Sequence, residues 1–230
     1  MSNFRFKQFE VEQNNVPMKL GTDGVLIGAW ADCSRANTIL DIGTGTGVIA
    51  LMMAQRSKAE IVVGIDIDSC AAACADLNFK NSPWSSRLVS KHTSVQDFTE
   101  DGFDFIISNP PYFTNSLLCD NSRKSAARHT VELSFQALND SVLRLLSSTG
   151  SFALILPAEQ MDIFEQITPL SLCRRCRVYS YPGGEVKRVM AQFIRNGSLL
   201  SDESITIYTA PKGDYSEQYR ELTKDFYLKF

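Results

Sequence analysis

The residues best suited to chemistry are Asn109-Pro110-Pro111-Tyr112. They directly follow the apolar run Phe103, Phe105, Ile106 and Ile107, which reads as a buried strand after the turn signal Glu100-Asp101-Gly102. Two prolines lack backbone donors and fix φ, so the strand must end there. The end leaves a side-chain amide, prolyl carbonyls and an aromatic ring at a carboxyl edge, where open α/β sheets bind their ligands. The Asn109 amide oxygen and the Pro110 carbonyl can each accept one hydrogen of a planar amine. Such an amine is a poor nucleophile because its lone pair is delocalised into the ring, and two acceptors favour a more tetrahedral nitrogen. Tyr112 can stack on a base, an interaction worth roughly 1–3 kcal/mol. Taken alone, the tetrapeptide is equally compatible with a rigid strand-to-loop turn.

A second stretch upstream changes that balance. Asp41-Ile42-Gly43-Thr44-Gly45-Thr46-Gly47 lies between a predicted strand and a predicted helix, where glycines let backbone approach a ligand. The dinucleotide fingerprint G-x-G-x-x-G needs a glycine at its sixth position, and here that position is Val48. Nothing is therefore laid out to hold a pyrophosphate on the helix end, which disfavours a dehydrogenase. Asp41, just before the loop, suits an ammonium better than a diphosphate. Asp66-Ile67, ending the next strand, is placed to accept hydrogen bonds from ribose hydroxyls. Asp97-Phe98, after the third strand, suits an adenine amino group and its ring. An adenosine with a cationic amino-acid tail meets all of these demands, and that ligand is S-adenosylmethionine. Gly43, Gly45, Gly47, Asp66, Ile67, Asp97, Phe98 and Asn109 are its predicted binding residues, with Asp41.

The elements that must position these residues alternate. Strands are expected at 38–42, 61–65, 87–90, 103–108 and 151–156, and helices at 48–56, 70–80, 131–146 and 158–167. Phe4, Phe6 and Phe9 read as a short strand or hairpin, and Thr22 or Asp23 as the cap of a helix carrying Val25, Leu26, Ala29 and Trp30 inward. Ser69 reads as the cap of the 70–80 helix. Residues 177–181 and 187–194 form a hairpin about Pro182-Gly183-Gly184, 205–209 a further short strand, and 215–230 an amphipathic helix ending in aromatics. This order predicts a Rossmann-like α/β domain: a mostly parallel, seven-stranded sheet with an antiparallel hairpin at one edge. The whole chain, 1–230, reads as one domain, with 1–35 as an extension over the cofactor.

Composition sets the class. A chain of 230 residues with 44% hydrophobic and 21% charged residues suits one soluble globule. No apolar stretch is long enough for a membrane span or a signal peptide, so a cytoplasmic monomer is expected. Six irregularly spaced cysteines make no disulfide framework, and Cys173-x-x-Cys176 has no second pair to complete a zinc site; free thiols on a strand are expected, and no metal. The net charge of −3 is unevenly spread. Residues 121–130 carry +3 through Arg123, Lys124 and Arg128, and residues 171–195 carry +5 through Arg174, Arg175, Arg177, Lys187, Arg188 and Arg195 against Glu185. A basic face on an acidic body suits a phosphate-bearing macromolecule, although a solvated surface accounts for charge alone equally well.

The marker (Asn/Asp/Ser)-Pro-Pro-(Tyr/Phe/Trp) resembles that of class I methyltransferases acting on planar nitrogens. Lys19-Leu20-Gly21-Thr22-Asp23-Gly24-Val25-Leu26-Ile27-Gly28-Ala29-Trp30 resembles the amino-terminal signature of the bacterial tRNA adenine-N6 methyltransferases. Ala127-Arg128-His129 and the ending Asp225-Phe226-Tyr227-Leu228 are similar to that family as well. The resemblance implies methylation of an anticodon-loop adenosine in a valine tRNA, immediately 3′ of the anticodon. It also implies that Lys19, Thr22 and Asp23 close over the methionine part of the cofactor. Arg123, Lys124 and Arg128 would hold flanking phosphates with the 174–195 set, and His129 would face the pocket or serve as a structural or helix-capping group. Competing readings are a guanine-N2 rRNA enzyme, a protein glutamine N5 methyltransferase and a non-catalytic nucleotide-binding module.

Overall fold

The computed structural model describes residues 3–13, 16, 19–111 and 133–229. The chain opens with a two-stranded antiparallel hairpin, β1 (Phe4–Arg5) and β2 (Glu10–Val11), followed by helix α1 (Thr22–Trp30). Alternation then begins: β3 (Thr38–Ile42), α2 (Val48–Arg56), β4 (Ile61–Asp66), α3 (Ser69–Lys80), β5 (Leu88–His92) and β6 (Phe103–Ser108). The second half comprises α4 (Phe135–Leu145), β7 (Leu146–Leu156), α5 (Ala158–Ile167), β8 (Ser171–Tyr179), β9 (Val186–Ile194), β10 (Ser201–Thr206) and α6 (Glu217–Thr223).

Eight strands form one sheet in the order β10-β8-β9-β7-β6-β3-β4-β5. Only β9 runs against the others, pairing antiparallel with both β7 and β8. The expected seven strands are present, and the further short strand expected at 205–209 falls at 201–206 as β10, which joins the sheet parallel to β8, so the hairpin lies inside the edge. The central strands β3, β4 and β6 are buried almost throughout, because helices cover both faces. One face packs on α1, α2, α3 and α6 with the aminoterminal hairpin, through residues such as Leu26, Met52, Phe79 and Tyr219. The other packs on α4 and α5 through Phe135, Leu138, Val142 and Phe164.

Several local expectations shift. The cap of α1 is Gly21, with no side-chain hydrogen bond, rather than Thr22 or Asp23. The α3 cap is Asp68, which accepts from the Ala71 amide, rather than Ser69. Strand β8 begins at Ser171, six residues earlier than its apolar alternation suggests, because Cys173 sits at a bulge that breaks the alternation. Cys173 and Cys176 are free and buried on that strand. The 215–230 segment is helical only over α6, and then folds Phe226 and Tyr227 back against the hairpin. Among the described residues no helix is long and apolar enough to cross a membrane.

Asn78 joins the parts that surround the site. Its side chain, buried on α3, donates to the carbonyls of Thr46 (2.8 Å) and Glu12 (3.0 Å) and accepts from the Glu12 amide (2.9 Å). It therefore fastens the glycine loop to the segment leaving β2. Each neutral hydrogen bond contributes about 1 kcal/mol, and orphaned buried partners add to the loss. Asn78→Ala is expected to lower the unfolding free energy by about 2–4 kcal/mol, measured by urea denaturation.

Candidate active site

Chain direction reverses across the sheet between β3 and β6, since β3 leads outward to β4 and β5 before the chain returns to β6. Such a switch point opens a crevice at the carboxyl ends of the strands. A cavity of about 330 Å³ occupies it. Ile42 and Gly43 of the β3 end, Ile65 to Asp68 of the β4 end, and Ser108 to Pro111 of the β6 end line it. Val16, Thr93 to Gln96 and Leu133 complete the wall. The predicted residues Gly43, Gly45, Asp66, Ile67, Asn109, Pro110 and Pro111 thus converge on one mostly apolar space, the character of a pre-formed ligand pocket.

The glycine loop has the geometry its residues require. Gly43, Gly45 and Gly47 take φ of 73°, 57° and 80°, the left-handed region that favours glycine. A Cβ on Gly43 or Gly45 would meet nothing within 4 Å, so a ligand can reach their backbone. Gly47 does not line the cavity; a Cβ there would stand 2.5 Å from the Phe79 ring, and its role is to let the loop close on α3. Asp66 anchors the loop from the next strand. Its Oδ2 accepts from the Gly45 amide (2.9 Å) and its Oδ1 from the Asp68 amide (2.9 Å).

Asp41 lies beneath the loop, fully buried, and is not part of the cavity wall. Its Oδ2 accepts from the Thr44 hydroxyl (2.7 Å) and the Ala50 amide (3.2 Å), while its Oδ1 is buried with no partner among the described residues. Burial pushes the carboxyl up to about 7, against the two hydrogen bonds that lower it. The folded value stands above that of a free Asp, so the stabilisation is complete below about pH 4 and fades as pH rises through about 7. The melting temperature of the wild type, less that of Asp41→Asn, is expected to fall between about pH 4 and pH 7 and to level off above. A flat difference over that range would show that Asp41 does not titrate there.

Other predicted residues stand apart. Asp97 is exposed, bonded to the Ser94 hydroxyl (2.7 Å), and outside the wall. Phe98 is buried against Phe103 in the core, because the Phe98 amide bonds back to the Ser94 carbonyl and turns the ring inward. The wall takes Ser94, Val95 and Gln96 instead. Arg144 of α4 secures that turn by donating to the carbonyls of Val95 (2.9 Å), Gln96 (3.3 Å) and Phe98 (2.6 Å), a role no sequence motif marks. Lys19 and Thr22 are exposed and outside the wall, which among the described residues of the amino-terminal segment Val16 reaches. Tyr112, Arg123, Lys124, Arg128 and His129 lie outside the described residues.

The first turn of α1 stands close to Asn109: a Cβ on Gly24 would lie 3.9 Å from Asn109 Nδ2. Asp23 beside it accepts from Arg188 Nε at 2.8 Å, tying α1 to β9. Most of the basic 174–195 set is committed in the same way. Arg174 stacks on Trp30 and pairs with Glu203, Arg175 with Glu165, and Arg177 with Asp202. Arg195 donates to the carbonyls of Leu143, Leu146 and Ser147 around the end of α4.

A Rossmann-like sheet whose switch-point cavity joins a glycine loop, a strand-end carboxylate and an Asn-Pro-Pro end defines a cofactor-dependent group-transfer enzyme. The family model "Methyltransferase small domain" matches residues 24–149, and the chain belongs to that methyltransferase family. Curated relatives specify it further. Proteins named tRNA1(Val) (adenine(37)-N6)-methyltransferase from Actinobacillus succinogenes and Phocaeicola vulgatus are 40% and 44% identical, covering 100% and 98% of this chain and 98% and 97% of their own lengths. Among solved structures, a predicted O-methyltransferase from Agrobacterium tumefaciens shares the fold at TM-score 0.70 and 18% identity, covering 89% of this chain and 96% of that one. The tRNA m1G37 methyltransferase of M. jannaschii does so at TM-score 0.59 and 16% identity, covering 85% and 57%.

Proposed function

We propose that this chain methylates the exocyclic N6 of adenosine 37 in tRNA1(Val), in the cytoplasm. The observation that carries the reading is the meeting of Gly43, Gly45 and Asp66 with Asn109-Pro110 in one cavity of about 330 Å³. The full-length relatives named for that tRNA favour it over the ribosomal RNA and protein glutamine alternatives.

The residues present fit S-adenosylmethionine. Open backbone at Gly43 and Gly45 receives its amino-acid end, Asp66 faces ribose hydroxyls, and the Ile67 and Val95 side of the wall offers apolar surface for an adenine. When bound, this cofactor supplies an electrophilic methyl group on a sulfonium. Asn109 Oδ1 and the Pro110 carbonyl accept the two amine hydrogens and orient the nitrogen lone pair. The Pro110-Pro111 pair fixes φ and holds both acceptors at the sheet edge. Alignment of this kind supplies roughly 7–11 kcal/mol of barrier lowering. Neither acceptor is basic enough to keep the proton that the methylated nitrogen sheds, so it passes to water. By its place in the sequence, Tyr112 stacks on the target base, which leaves its stack most easily from a loop.

The test is transfer of radiolabelled methyl from S-adenosylmethionine to unmodified total tRNA, followed by nucleoside mass spectrometry. N6-methyladenosine at position 37 of tRNA1(Val) is the expected product. Label appearing only in ribosomal RNA or protein would discard the substrate and keep the site.

A further inference from the structure

The internal pairing of the basic 174–195 residues leaves one cation differently placed. Among the described residues Lys187 pairs only with Glu185, two residues away at 3.3 Å, and both side chains are exposed, by 56% and 89%. Such a pair is worth little and yields readily to a phosphate. Lys187 follows the turn that joins β8 to β9 as the second residue of β9, and Tyr181 begins that turn with 38% of its surface exposed.

The turn holds that ring in place. Gly183 takes φ of 76°, the Gly184 amide donates to the Tyr181 carbonyl at 3.1 Å, and the ring passes 3.4 Å from where a Gly184 Cβ would sit. The ring is thus laid along backbone on one side, with low conformational cost for stacking on the other.

Its location is set by the sheet. Val189 of β9 pairs with Leu156 at the carboxyl end of β7, and Ser108, which precedes Asn109, pairs with Leu154 of the same strand. The chain between Tyr179 and Val186 therefore projects beyond the edge on which Asn109 stands. At about 4.8 Å per strand spacing over three strands and 3.3 Å per residue over about five, Tyr181 lies roughly 20–22 Å from Asn109. Stacked nucleotides repeat at about 3.4 Å per strand, so about six stacked loop nucleotides span that gap.

We infer that the β8–β9 turn is an RNA contact in which Tyr181 stacks on a loop base several nucleotides from the target adenosine and Lys187 holds an adjacent phosphate. This inference rests on the tRNA reading above and adds to it the surface that receives the other loop nucleotides. Exposed aromatic rings beside cations are the usual platform for unpaired bases, whatever their identity.

The experiment measures binding of tRNA1(Val) transcript, and of its anticodon stem-loop carrying 2-aminopurine singly at each loop position other than 37, by wild type, Tyr181→Ala, Tyr181→Trp and Lys187→Ala. Tyr181→Ala is expected to raise the RNA Kd roughly 5- to 100-fold and to abolish the 2-aminopurine quench. Tyr181→Trp restores both, and Lys187→Ala lowers the slope of log K against log salt by about one. S-adenosylmethionine affinity, measured by calorimetry, stays at the wild-type value in all three. Equal RNA Kd and equal quench in wild type and Tyr181→Ala would overturn the inference alone. A wild-type protein that binds S-adenosylmethionine but no tRNA would overturn it together with the tRNA reading.

Discussion

Asn109→Ala lowers the rate of methyl transfer by about 10²–10³-fold, with S-adenosylmethionine Kd changed less than tenfold. The reasoning is differential: an acceptor aimed at the reacting nitrogen acts mainly as that nitrogen changes shape, and removal of one such preorganised group costs about that factor. Asn109 is well suited to this because, among the described residues, no hydrogen bond engages its side chain. It follows β6, stands at the rigid prolines, and faces α1 where Gly24 offers no side chain. Single-turnover kinetics at saturating cofactor separate the chemical step from binding. A variant that keeps a tenth or more of the wild-type rate would show that the amide does not hold the amine during transfer.

Asp66→Ala produces the second large effect, on the cofactor rather than the rate. Asp66 holds the loop through the Gly45 amide and β4's exit through the Asp68 amide, and each oxygen retains a lone pair for the cavity. Hydrogen bonds to a charged group are worth about 1.5–3 kcal/mol, so removal of the carboxylate is expected to raise the S-adenosylmethionine Kd by about 10²-fold. Asp66→Asn keeps one acceptor and falls in between, at about tenfold. Isothermal titration calorimetry gives both numbers. If Asp66→Ala bound the cofactor as tightly as wild type, the strand-end carboxylate would be structural only.

The parts of the site legible in the sequence are those built from strand ends. A buried strand is a short apolar run, and the residues that stop it are read directly from prolines, glycines and aspartates. Gly43, Gly45, Asp66 and Asn109 therefore reach the cavity as their spacing implies. Where the chain leaves a strand without such a stop, reasoning by spacing drifts. After β5 a single turn separates Asp97 from the wall and sends Phe98 into the core, and only the Ser94 and Arg144 hydrogen bonds reveal it. Charge is the least legible quantity of all. The arginines between 174 and 195 read as one basic track, yet their partners, such as Asp23 for Arg188, lie up to 165 residues away. Linear charge counts are blind to pairing that only the sheet's strand order creates.

The string of rings that begins at Trp84 has a consequence for how the protein is made. Trp84 meets Phe9, which stacks on Phe6 at 4.6 Å; Phe6 stacks on Tyr227, and Tyr227 approaches Tyr219. The Lys7 amide also bonds to the Phe226 carbonyl at 2.8 Å. Residues 4–9 thus find their cover among residues 219–227, which are made about 210 residues later. During synthesis the hairpin stays unsealed, however complete the sheet beside it, until residues 219–227 have emerged. A nascent chain cut short before Tyr219 exposes the rings of Phe4, Phe6 and Phe9, which marks it for chaperones and proteases and spares the cell a half-built enzyme.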